Sequence, residues 1–224
     1  MHTKDHWDKI YATKDVDSVS WYAPHLDKSL ALIEAICPDK TAAIVDIGAG
    51  ESTLVDDLLS RGYQDLSVLD ISQTAIEFTK HRLDCLDRLG EKSKRVNWHV
   101  GDITRYDFGA KQFDLWHDRA VFHFLTDQDA RVAYVQTLRR SVKPGGHVLM
   151  ATFGPEGPLQ CSGLDVVRYD EKQLKDVLGD GFKLLGSELT THLTPMGSEQ
   201  QFLYCWFEVV RPWRGFRFHR DIDA

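Results

Sequence analysis

Residues 42–52 read Ala42-Ala43-Ile44-Val45-Asp46-Ile47-Gly48-Ala49-Gly50-Glu51-Ser52, and this stretch decides the fold. A short apolar run closing on Asp and Gly is the pattern of a strand buried on both faces of a parallel sheet. Gly48 permits a sharp turn, and Gly50 lets the backbone approach a ligand with no side chain in the way. A helix-like segment, LVDDLLSRG (54–62), follows at once. Its first turn would offer free N–H groups and a positive dipole end. A plain strand-to-helix turn uses the same glycines, so the reading depends on what surrounds them.

Outward from this stretch the chain keeps the same rhythm. Buried strands are predicted at LSVLDIS (66–72), RVNWHVGD (95–102), FDLWHDR (113–119) and HVLMATF (147–153). Helices are predicted over 73–89 and near 128–140, with Pro144-Gly145-Gly146 as a tight turn into the fifth strand. Such alternation implies right-handed crossovers and a parallel sheet. The end differs: FKLLGSELT (182–190) and QFLYCWFEVV (201–210) are strand-like with no room for a helix between them. So short a connection joins antiparallel strands only. The expected fold is therefore α/β, a Rossmann-like, mainly parallel seven-stranded sheet flanked by helices and ending in an antiparallel hairpin. Before the core, Trp7, Ile10 and Tyr11 recur at helical spacing, and residues 26–37 form a second helical pattern that stops at Pro38. One domain covers 1–224: N-terminal helices over 1–40, the core over 41–210 and a tail over 211–224.

Composition narrows the function classes. A chain of 224 residues, 42% hydrophobic and 27% charged, suits one globular α/β domain. No apolar run is long enough to span a bilayer, and the first residues lack a signal-peptide pattern, so no membrane role and a cytoplasmic location are expected. A net charge of -7 disfavours nucleic acid as a partner. The tail Arg211–Arg220 interleaves arginines with aromatics, yet one short patch supplies few phosphate contacts. Cys37, Cys85, Cys161 and Cys205 stand far apart and form neither a zinc nor a disulfide pattern; Cys37, Cys85 and Cys205 read as small buried hydrophobes. No His/Asp/Glu cluster has metal-ligand spacing, so no metal is expected.

The chemistry collects at strand ends. Asp70 closes the second strand about twenty residues beyond the glycines, where a carboxylate can accept both hydroxyls of a ribose. Gly101-Asp102-Ile103 ends the third strand beside the same crevice; Asp102 can accept from an adenine amino group while Ile103 or Ile71 packs on the ring. Each aspartate alone would also serve as a cap or turn residue. Three acidic strand ends in register are harder to assign that way.

On these residues the chain resembles the class I S-adenosylmethionine-dependent methyltransferases, from Trp7 to about Val210. The resemblance implies S-adenosylmethionine as cofactor, with Asp46 and the Gly48–Gly50 loop at its methionine part, Asp70 at the ribose, and Asp102 with Ile103 at the adenine. It places Asp118, at the end of the fourth strand, toward the cofactor amino group and the acceptor. Ser52 stands where many members have a third glycine. Trp7-Asp8-x-x-Tyr11 followed by Ser20-Trp21-Tyr22 is similar to a group that includes protein-lysine methyltransferases, whose leading segment covers the cofactor. By that likeness Trp7, Tyr11 and Trp21 roof the site, Tyr22 faces the acceptor, and aromatic faces suit a sulfonium.

Acceptor choice should show in the fourth strand. Lysine-directed members of that group tend to read Asp-Lys-Gly-Thr-x-Asp, whereas this chain reads Asp118-Arg119-Ala120-Val121-Phe122-His123. His123 replaces the second acid and is the candidate general base, with Arg119 and Cys161 as further candidates for the acceptor pocket. Cys161 belongs to a Gly/Pro-rich loop, 154–164, that leaves the ligand-binding edge of the sheet, and the 192–197 turn is a further candidate to reach the pocket. The expected function is methyl transfer to a small molecule, with protein lysine as the alternative acceptor. A nicotinamide-dependent oxidoreductase shares the glycine turn and the ribose acid, but not Gly101-Asp102 together with a final hairpin. A non-catalytic scaffold would not need an intact cofactor motif.

Overall fold

The computed structural model describes residues 4–86 and 91–210. The tail that the sequence singles out, Arg211–Arg220, lies outside the described residues.

Seven strands form one sheet in the order β3-β2-β1-β4-β5-β9-β8. They are β1 (Ala43–Ile47), β2 (Asp65–Asp70), β3 (Val96–Val100), β4 (Phe113–Arg119), β5 (Val142–Phe153), β8 (Phe182–Leu193) and β9 (Glu199–Val209). The first five run parallel; β9 lies antiparallel to β5 and to β8, so the chain does end in a hairpin at one edge. Two short strands, β6 (Gln160–Cys161) and β7 (Leu164–Asp165), pair separately within the loop after β5.

Helices cover both faces. On one lie α2 (Asp27–Ile36), α3 (Leu54–Ser60) and α4 (Gln73–Leu86), which pack Leu30, Ile33, Leu54, Leu58 and Ile76 against Ile44, Leu66 and Val68. On the other lie α5 (Gln128–Ser141) and α6 (Glu171–Leu178), which pack Tyr134, Leu138, Leu174 and Leu178 against Val45, Trp116 and Val148. Neighbouring residues of β1 therefore serve opposite cores, as the two-residue period of a strand requires. The helix α1 (Lys4–Thr13) buries no residue in either core and lies across the N-terminus of α4. Asp8 holds it there, accepting from Ser72 Oγ (2.5 Å) and from the Thr74 N–H.

Four details depart from the sequence reading. The chain passes from α5 straight into β5 at Val142, so Pro144–Gly146 form an irregularity inside a longer strand. A helix, α6, occupies 171–178, begun by an Asp170–Gln173 capping box that the reading passed over. Cys85 is exposed on α4, not a buried hydrophobe. The 192–197 turn does not reach the pocket: His192 Nε2 meets the Ser20 carbonyl (2.9 Å), and Leu193 and Met196 face solvent.

Candidate active site

The order of the strands reverses between β1 and β4, and in open α/β sheets such a point leaves a crevice at the strands' carboxyl ends. A cavity of about 280 Å³ opens there. Its floor comes from four successive strand ends: Ile47 and Gly48, then Leu69–Ile71, then Gly101–Thr104, then Arg119–Val121. Trp7, Tyr11 and Trp21 form one wall, Phe124–Asp127 another, and Cys161 of the β6–β7 loop a third. A smaller cavity of about 60 Å³ continues along the glycine loop, lined by Asp46, Ala49, Glu51, Ser52, Tyr22 and His117, and shares Tyr11, Trp21, Gly48 and Arg119 with the first.

The glycine loop is held tightly. Gly48 and Gly50 have φ of +62° and +54°, and a β-carbon at either would run into Val121 or the Tyr11 hydroxyl. Only glycine fits a turn so covered. Gly48 N–H donates to the Leu69 carbonyl (2.7 Å), and Arg82 of α4 donates to the carbonyls of Glu51 and Ser52, both at 2.7 Å. Arg82 carries no motif, so nothing in the sequence marked it.

Asp70 is 4% exposed and accepts from the Gly50 N–H (2.7 Å) through one oxygen and from the Ser72 N–H (2.8 Å) through the other. Each oxygen keeps a second lone pair for a hydroxyl. Burial outweighs these bonds and pushes its pKa up to about 6. Asp102 is half satisfied: Oδ1 accepts from the Thr104 N–H (2.9 Å) and hydroxyl (2.7 Å), while Oδ2 is buried without a partner. A buried orphan acceptor in a cavity wall is costly unless a ligand completes it. With Ile71 and Ile103 beside it, the place suits a flat ring carrying an amino group. Residues and cavity thus fit an adenosine group.

The aromatic wall is built from side chains far apart in sequence. Trp7 stacks on Tyr11 (centroids 6.1 Å apart) and meets Trp21 (5.9 Å) and Phe124 (5.2 Å) edge to face. Phe124 was not among the sequence candidates, because its place beside Trp7 arises only when the chain folds.

Asp46 does not reach the larger cavity. His117 Nδ1 donates to its Oδ1 (2.7 Å), and His117 Nε2 lies 2.9 Å from Ser29 Oγ of α2. This buried chain ties β1, β4 and the α2 face together. The sequence reading missed His117 and Ser29. Strand register, Asp46 opposite His117, was the signal that paired them.

Two of the expected roles are corrected. Asp118 was expected to face the cofactor and the acceptor, yet it lines neither cavity. Strand alternation turns it to the α5 face with Trp116, where it accepts from the Tyr134 hydroxyl (2.5 Å) and the N–H groups of Val121 (3.0 Å) and Phe122 (3.4 Å). His123, the candidate base, is fully buried behind the wall between Phe124 and Phe153. Its Nδ1 accepts from the Phe153 N–H (3.2 Å), so the ring is held neutral, and burial drives its pKa down to about 3. Cys161 does line the larger cavity, with burial pushing its thiol up to about 11, the opposite of a reactive thiolate. Arg119 lines both cavities, and Tyr22 only the smaller. Among the described residues no group of His, Cys, Asp and Glu could hold a metal ion, and no helix is long and apolar enough to cross a membrane.

Comparison with known proteins agrees with this geometry. Residues 44–146 match a family described as a methyltransferase domain. The chain is 26% identical over 198 residues to EEF1A lysine methyltransferase 2 of Danio rerio, covering 83% of this chain and 77% of that one. It is 31% identical to a malonyl-[acyl-carrier protein] O-methyltransferase of Halalkalibacterium halodurans, over 74% of this chain and 65% of the relative. Against the eEF1A lysine and N-terminal methyltransferase of Bos taurus (27% identical, 65% of this chain) it spans only 20% of the relative's length. Among solved structures, the N-methyltransferase NodS of Bradyrhizobium japonicum shares the fold with a TM-score of 0.68 at 16% identity, over 92% of this chain and all of that one. The glycine turn, the acidic strand ends, the terminal hairpin and these relatives together make the chain a class I S-adenosylmethionine-dependent methyltransferase.

Proposed function

We propose that the enzyme methylates a small molecule bound between Trp21, Arg119 and Cys161, with the cofactor held along the strand ends. In this reading Asp70 binds the ribose hydroxyls, Asp102 completes its orphan oxygen on the adenine amino group, and Ile71 and Ile103 flank the ring. Asp46 and the Gly48–Gly50 loop hold the methionine part. Trp7, Tyr11 and Trp21 cover the site and exclude water. When bound, S-adenosylmethionine supplies an electrophilic methyl group on a sulfonium. The chain's own contribution is orientation and desolvation of the acceptor, the two largest levers on a displacement of this kind.

One observation carries the choice of acceptor: positions 118 and 123, where the lysine-directed group has its two acids, present no carboxylate to the wall formed by Trp21, Arg119 and Cys161. Asp118 is turned away with three donors on it, and position 123 holds a buried neutral histidine. A lysine ammonium arriving there would meet the Arg119 cation and find no base at either of those two positions. A neutral or anionic small molecule needs neither. Protein lysine is the second reading, favoured by the similarity to EEF1A lysine methyltransferase 2 along most of both chains. Labelled methyl transfer into cell extract, separated into protein and small-molecule fractions, tests the choice. Label confined to protein would refute the small-molecule reading.

A further inference from the structure

Arg119 ends β4 where both cavities meet. Its guanidinium lies over the Phe202 ring, 4.6 Å from the centroid, and Nη1 donates to the Trp21 carbonyl (3.1 Å). These two contacts fix the group in space and leave most of its five N–H donors unspent. Among the described residues no carboxylate lies within ion-pair distance of it, although nine lysines and arginines have such a partner. A half-buried cation without a counter-charge is unfavourable unless something supplies one.

We propose that Arg119 binds a carboxylate on the methyl acceptor, making the substrates small organic acids. This rests on the small-molecule reading above. The planar fork of a guanidinium matches a carboxylate at two points, so the contact would orient the acceptor as well as hold it. The side of the site on which Arg119 acts argues for acceptor over cofactor. Its guanidinium rests on Phe202 of the terminal hairpin and shares the larger cavity with Cys161 of the β6–β7 loop. Glu51, on the glycine loop where the methionine part of the cofactor is assigned, feels Arg82 and Asp70 instead. Burial pushes the Cys161 thiol up to about 11, so it stays protonated and is no counter-ion for Arg119.

The test uses the full chain with labelled S-adenosylmethionine and a protein-free cell extract split by ion exchange into anionic, neutral and cationic pools. Labelled product is expected from the anionic pool. Arg119→Gln should raise the half-saturating acceptor concentration at least about tenfold, while calorimetric titration finds cofactor affinity within about threefold of the parent. Arg119→Lys, which keeps the charge but loses the fork, should fall between the two and guards against a variant that merely misfolds. Product from the neutral or cationic pool alone overturns the proposal and leaves small-molecule transfer standing. Label in no pool, with cofactor still bound, overturns both. Undiminished transfer by Arg119→Gln, or a parallel collapse of its cofactor affinity, overturns the carboxylate assignment.

Discussion

Asp70 offers the sharpest test of how the cofactor site works, because its charge is poised by burial. In the free enzyme its pKa sits at about 6, above the ordinary 3.8. A ribose donating two hydroxyl protons stabilises the carboxylate and so draws that pKa down again. Proton and cofactor then compete. If the bound value returns to the ordinary 3.8, affinity at pH 5 should be about tenfold weaker than at pH 7, or about 1.4 kcal/mol. The sign for folding runs the other way. The folded state holds this proton more tightly than the unfolded chain, so the contribution of Asp70 to stability is largest below 3.8 and declines as pH rises through about 6. Calorimetric titration with S-adenosylmethionine from pH 5 to 7.5, on the parent and on Asp70→Asn, measures the effect. The variant should bind roughly 1–3 kcal/mol more weakly at pH 7 and lose most of the pH slope. Glu51, raised to about 7, and Asp118, at about 6, persist in the variant and act as internal controls. A flat pH profile in the parent, or an unchanged slope in the variant, would refute the ribose assignment.

Three further outcomes are expected. Ala120 has φ of +70° at the position where the lysine-directed group has glycine. Ala120→Gly should relieve about 1–2 kcal/mol of strain against about 0.5–1 kcal/mol of lost chain rigidity, and urea unfolding should show a net gain of about 0.5–1 kcal/mol. His123→Gln keeps an acceptor for the Phe153 N–H, so turnover per folded molecule should stay within about fivefold of the parent; a loss of a hundredfold or more would restore His123 as the base. Asp8→Ala removes the carboxylate that docks α1 on Ser72 and Thr74 and should cost about 1 kcal/mol. Its signature is faster hydrogen exchange across residues 4–13 and weaker cofactor binding, and unchanged exchange there would show that the aromatic contacts alone hold the helix.

Much of this protein is legible from local pattern. Strand ends, glycine turns and helix periods are short-range features, and the crevice forms wherever a parallel sheet reverses its winding. Gly48, Asp70 and Asp102 were therefore readable, since each stands at or just past its strand's end and lines a cavity, whereas Gly50 lines neither and donates to Asp70 instead. The final hairpin was readable too, because the connection is too short for a crossover. What the pattern could not convey is which face a side chain takes once its strand is packed. One residue of β4 separates His117 on the α2 face from Asp118 on the α5 face, and that alternation hands one to Asp46 and the other to Tyr134. The same geometry buries His123 behind Phe124 and Phe153, where an imidazole sheds its proton to avoid an unsolvated charge. Arg119 was visible as a letter; its lack of a counter-ion was not. Ion pairing depends on what approaches from the segment around Trp21 and from β8 and β9, and only the folded chain brings those segments to within reach of one guanidinium.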